Sequence, residues 1–106
     1  MSLTTPISLK MQVVVSTLNE EDCLTVQKQL LEFCPELSFS PVREQPSLVD
    51  CLEFYGTAFI DQACKDVLIQ NLDNDWDVED DVYSVYGFNT KMFNPLVYYL
   101  LMEFSS

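Results

Sequence analysis

Histidine is absent from these 106 residues, and glycine occurs only twice, at Gly56 and Gly87. The first absence removes the commonest general base, the commonest metal ligand and the usual activator of a serine or cysteine nucleophile. The second leaves no glycine-rich turn that could cradle a phosphate, of either the Walker or the dinucleotide-binding kind. Bases are scarce as well: Lys10, Lys28, Arg43, Lys65 and Lys91 are the full set, scattered along the chain. Binding to nucleic acid needs clustered Lys and Arg that displace counterions from phosphates, so no direct contact with DNA or RNA is expected. Together these absences argue against catalysis.

Cysteine is present but in no recognisable framework. Cys23, Cys34, Cys51 and Cys64 lie 11, 17 and 13 positions apart, with no C-x-x-C pair. The usual zinc patterns fail, and neither a metal nor any other cofactor is expected. Two of the four fall on apolar faces of expected helices, where a free thiol behaves as a small hydrophobe. Lys65 adjoins Cys64, but helical spacing turns the cysteine to the core and the lysine to water. The stretch from Met1 to Pro6 lacks the basic start and apolar run of a signal peptide. The longest apolar run, Leu96 to Met102, is far short of the roughly 20 residues a membrane helix needs. A reducing cytoplasm is the expected location, with no membrane partner.

What the chain does hold is acid and enough apolar matter for one core. Hydrophobic residues make up 48% and aromatic residues 12%, so residues 1–106 are expected to fold as one domain without disulfide or metal. Seventeen acids against five bases give a formal net charge of -12. That field repels nucleic acid and anionic lipid, and attracts a basic protein surface or a divalent cation. It also keeps a protein soluble with no further role.

Leu9, Met11, Val13 and Val15 alternate with polar neighbours and predict a half-buried strand. Thr17 or Asn19 then caps a helix opened by Glu20, Glu21 and Asp22. Cys23, Val26, Leu30 and Phe33 form its apolar stripe, widened by Leu24 and Leu31, and Pro35 ends it at Cys34. Leu37 and Phe39 suggest a short edge strand before Pro41, and Arg43 to Ser47 a loop. Leu48 to Tyr55 reads as a strand closed by Gly56. Thr57 then caps a second helix built on Phe59, Ile60, Ala63, Cys64, Val67 and Leu68. Val82 to Phe88 predicts another strand. Leu96 to Phe104 suits a buried strand, although Asn94 and Pro95 could also start a helix. The expected fold is α+β: two helices on one face of a mostly antiparallel four- to five-stranded sheet, ferredoxin-like βαββαβ plus a C-terminal strand or helix.

Acid is densest between Asp73 and Asp81, six acids in nine residues. A calcium loop beginning at Asp73 would put Val78 where the turn demands glycine and Ser84 where a bidentate Glu belongs, so that reading fails. If the segment is extended, Asp75, Asp77, Glu79 and Asp81 project from one face about 6.5–7 Å apart. Trp76, Val78 and Val82 then point the other way and anchor it, and Asp80 breaks the alternation with a bulge or turn. Such a comb is similar in charge and pitch to a row of backbone phosphates. The residues expected to meet a partner are Asp73, Asp75, Trp76, Asp77, Glu79, Asp80, Asp81, Tyr83 and Tyr86, with Tyr55 nearby.

In charge and size alone, the chain resembles nucleic-acid-mimic inhibitors of the anti-defence and immunity type. The expected function is therefore non-enzymatic: an inhibitor or regulator that docks on a basic nucleic-acid-binding protein. The alternative is a structural or adaptor subunit that binds through an apolar patch or sheet edge around Phe93 to Phe104, with homodimerisation through that edge a further option.

Overall fold

The computed structural model describes residues 6–73, 75–87 and 92–105. The N-terminal residues 1–5, Asn74 of the acidic segment, Phe88 at the end of its expected strand, and Lys91 lie outside the described residues.

The chain forms β1 (Ile7–Val15), α1 (Glu20–Phe33), β2 (Ser38–Phe39), β3 (Arg43–Glu44), β4 (Leu52–Ile60), α2 (Gln62–Leu72), β5 (Asp77–Glu79), β6 (Val82–Tyr86) and β7 (Val97–Ser105). The strands make one sheet in the order β2-β4-β1-β7-β6-β5, with β3 also pairing β4. Every pairing is antiparallel. The fold is thus mixed α+β, with two helices and an antiparallel sheet. The described residues hold seven strands; the short edge strand expected at Leu37 and Phe39 is β2, and the two additional ones, β3 and β5, are only two and three residues long, below what alternation can signal.

Alternation built β1 as its sequence predicts. Leu9, Met11, Val13 and Val15 are all 0–1% exposed and join Cys23, Val26 and Leu30 of α1 and Leu68 and Leu72 of α2 in one hydrophobic cluster. Of the two expected caps of α1, Asn19 is the one that operates, and Thr17 braces it. Asn19 accepts from the Glu21 amide at 2.9 Å, while the Thr17 hydroxyl accepts from the Asn19 amide and donates to Asp22. The expected widening of the stripe is corrected: Leu24 and Leu31 face solvent.

The middle of the chain departs most from expectation. Leu48 to Cys51 is turn and loop, and β4 runs instead from Leu52 through Gly56 to Ile60. Gly56 does not close the strand. It lies on the core side of β4, where the side chains of Leu37 and Phe39 sit 3.2–3.3 Å from the place of a Cβ. Thr57 consequently caps nothing; Asp61 caps α2, accepting from the Cys64 amide at 2.8 Å. The helix starts four residues later than expected, and its packing buries Leu68 and Leu72 fully while Ala63 and Val67 are exposed. Phe59 belongs to β4 and is 73% exposed. Arg43 and Glu44 are not loop but bridge to β4 opposite Glu53 and Leu52.

The C-terminal segment is a strand. Asn94 still turns the chain into it, accepting from the Leu96 amide and donating to Gln29 of α1. Because β7 lies between β1 and β6, it offers no free edge, which corrects the expected edge at Phe93 to Phe104. Among the described residues no helix is long and apolar enough to cross a membrane.

Candidate protein-binding surface

In antiparallel pairing, partners project to the same face of the sheet. The side opposite the helix-packed residues Leu9, Met11, Phe54, Leu100 and Met102 therefore carries Lys10, Gln12, Glu53, Tyr55, Thr57, Tyr99, Leu101, Glu103, Val82, Ser84, Tyr86, Asp77 and Glu79. Neither helix covers this side.

The acidic segment builds one corner of it. Asp77 to Glu79 forms β5, Asp80 and Asp81 make the two-residue connection, and Val82 returns opposite Glu79. Asp80 holds a left-handed φ of 55°, a conformation Asp tolerates better than most residues. The single expected comb is thereby broken. Only Asp77 and Glu79 share the sheet face, Asp75 precedes the strand, and Asp80 and Asp81 occupy the turn; all five are exposed. Val82 lies on the same sheet face as Glu79, and Val78, which does face away from Glu79, is 50% exposed and outside the core cluster.

Three of the expected contact residues are turned inward. Asp73 is 3% exposed and accepts from the Asp75 amide at 2.8 Å, a local turn at the end of α2. Trp76 donates its indole N–H to the Ile69 carbonyl at 2.8 Å. Tyr83 packs edge-on between Trp76 and Phe104, with ring centroids 6.0 and 5.6 Å away. These residues hold the hairpin against α2 and β7. Lys65 joins them: contrary to its expected position in water, its ammonium lies 4.8 Å from the Phe104 ring centroid and 3.4 Å from Asp81.

Sheet pairing brings in residues that the acidic segment did not suggest. Glu79, Val82 and Glu103 stand in one cross-strand row, as do Asp77, Ser84 and Leu101. Glu103 is exposed and sits two strands, about 9–10 Å, from Glu79. Beside this row lies a tyrosine cluster. The register of β7 on β1 shifts between Val14 and Val15, leaving Tyr98 as the extra residue, and such a bulge redirects side chains. Tyr98 and Tyr99 both reach Tyr86, at 5.8 and 4.8 Å between centroids. Burial, then the neighbouring Tyr86, pushes the Tyr99 hydroxyl up from its usual pKa, partly offset by its hydrogen bond with Ser84 and reinforced by Asp77. Tyr86 itself is 53% exposed. Aromatic residues flanked by carboxylates suit a surface that meets Arg and Lys.

At the far end of the same side, Glu53 is 1% exposed and receives Nε and Nη2 of Arg43 at 3.0 and 2.8 Å on one carboxylate oxygen. With Arg43 and Lys65 committed to ion pairs, two of the five bases already answer acids of the chain itself. Asp77, Glu79 and Glu103 keep their side of the sheet negative, with Lys10 across from Glu103 as its counterweight. No protein-family model matches the chain, and no curated protein or solved structure shows a significant similarity to it.

Proposed function

We propose that this chain is a non-enzymatic binding domain that docks its helix-free, acidic sheet face onto the basic surface of a nucleic-acid-binding protein, as an inhibitor or regulator. The observation that carries the reading is the placement of Asp77, Glu79 and Glu103 on the same helix-free face as the partly exposed Tyr86 and Tyr99. Carboxylates there steer a cationic partner and the tyrosines supply contact area. Like charges about 7 Å apart repel by roughly 0.6 kcal/mol per pair in water before screening, and a basic partner relieves that repulsion. The cytoplasm suits such a partner and four free thiols. The ferredoxin-like arrangement also belongs to this proposal: the path β2-β4-β1-β7, with α1 leaving β1 and α2 leaving β4, supports it, the β5–β6 hairpin being an insertion.

The test is a binding screen of the immobilised protein against purified basic DNA- and RNA-binding domains, with duplex DNA as competitor. The expected result is a complex that DNA displaces and that weakens at least tenfold between low and moderate salt. Binding that DNA leaves untouched contradicts the mimic reading.

A second reading, an adaptor subunit, draws support from Leu18 and Val49, 59% and 89% exposed, which line one open cavity beside the 44–51 loop. It predicts an affinity nearly independent of salt.

A further inference from the structure

Where the end of α1 meets the start of α2, three side chains able to ligate a metal converge, two from the end of α1 and one from 28 residues further on. Cys34 caps the C-terminus of α1, Glu36 follows two residues on, and Cys64 lies in the first turn of α2. One donor atom of each falls within 4.8 Å of the other two. We propose that Cys34, Glu36 and Cys64 form a binding site for a single thiophilic divalent cation of the zinc class, with a fourth position open to water. The site lies on the helix side of the sheet, so it is independent of the acidic face and its proposed partner.

The spacing suits the ion. With metal–sulfur bonds of about 2.3 Å and metal–oxygen bonds of about 2.1 Å, a tetrahedral edge from sulfur to oxygen measures about 3.6 Å. The Cys34 thiol stands 3.6 Å from a Glu36 carboxylate oxygen. The field suits a cation as well. The last turn of α1 carries no basic residue, so its carbonyl end stays negative, and the Phe33 carbonyl lies 3.8 Å from the Cys64 sulfur. On binding, each thiol releases its proton to solvent and each sulfur gives a lone pair to the metal. Exposure grades across the site, from buried Cys34 through half-buried Cys64 to exposed Glu36, and provides an entry path.

The histidine-free composition and the lack of a C-x-x-C pair hid this arrangement, because only the docking of two helix ends brings positions 34 and 64 together. The experiment titrates the reduced, chelator-treated full chain with cobalt as a spectroscopic probe, under excess magnesium to occupy surface carboxylates. Zinc competition against a chromophoric chelator follows. The expected result is one cobalt per chain with sulfur-to-metal charge-transfer absorption. That absorption should be lost in Cys64→Ser, and zinc affinity should fall at least tenfold in Glu36→Gln; Cys51→Ser should change neither. Absence of the absorption, its persistence in Cys64→Ser, or an unchanged affinity in Glu36→Gln overturns the proposal. Because Glu36 is exposed, its variant decides the matter even if Cys64→Ser fails to fold by circular dichroism.

Discussion

The ammonium of Lys65 on α2 sits over the ring of Phe104 on β7, 4.8 Å from its centroid, with the Tyr83 ring 5.9 Å away and Asp81 closing a third side. Its side chain keeps only 15% of its exposure. One lysine thus joins the second helix to the strands that carry the acidic hairpin. Lys65→Ala should lower stability by about 1 kcal/mol, the worth of a partly desolvated cation–π contact, or roughly 4–8 °C in melting temperature for a domain of this size. Lys65→Met, which keeps the apolar stem, should lose less. A Lys65→Met chain as stable as the parent would contradict the cation–π account.

Glu53 and Arg43 form a pair in which one partner is buried and the other is not. Removing Arg43 leaves a buried carboxylate that, among the described residues, keeps the Tyr55 hydroxyl at 3.3 Å. Arg43→Ala should therefore be destabilising, and Glu53→Gln added in the same chain should recover part of the loss. A urea double-mutant cycle measures this coupling. Simple additivity of the two losses would dismiss the pair as a determinant of the β3–β4 contact.

The two glycines make a graded comparison. A Cβ at Gly87 would overlap the backbone carbonyl oxygen of Val97, whereas at Gly56 it would press only on the side chains of Leu37 and Phe39. Backbone cannot yield as a side chain can. Gly87→Ala should cost about 1–3 kcal/mol and Gly56→Ala distinctly less, as read from urea midpoints. The reverse ranking would refute the close approach of the segment after β6 to β7.

Burial holds the Cys23 and Cys34 thiols up at about 11 and about 12, from an ordinary 9.0. In both cases nearby acids, and for Cys34 the Cys64 thiol, add to the shift. Above pH 9 the unfolded chain sheds these protons while the folded chain keeps them, so unfolding is favoured as pH rises. The stabilisation is complete below pH 9 and is lost as pH climbs toward 11–12. Urea denaturation at about pH 8 and about pH 10.5 should show a smaller alkaline loss in Cys34→Ala than in the parent chain. An identical loss would place the alkaline sensitivity elsewhere.

Local signals carried the ends of the chain further than its middle. The alternation of β1, the Asn19 cap and the Pro35 stop are each decided by neighbours in sequence, and each is found where the pattern puts it. Gly56 misleads because a lone glycine reads as a strand end, while its real cause is a tertiary one, the crowding of Leu37 and Phe39. That error displaced the start of α2. The acidic segment was legible as a location and not as a geometry: a two-residue turn at Asp80 and Asp81 splits its acids between a sheet face and a tip. Glu103, Tyr98 and Tyr99 were beyond local reading altogether, since only the β6–β7 register and a bulge bring them to Asp77 and Glu79.

Charge placed on one face, as distinct from charge in total, is the central claim, and charge-matched variants test it most directly. One triple variant carries Asp77→Asn, Glu79→Gln and Glu103→Gln; the other carries Glu21→Gln, Glu32→Gln and Asp66→Asn, exposed acids of the two helices. Both change net charge equally. Affinity for a basic nucleic-acid-binding partner, measured calorimetrically at moderate salt, should fall at least tenfold in the first and less than threefold in the second. Equal losses in the two variants, or no loss in the first, would contradict the assignment of the sheet face as the binding surface.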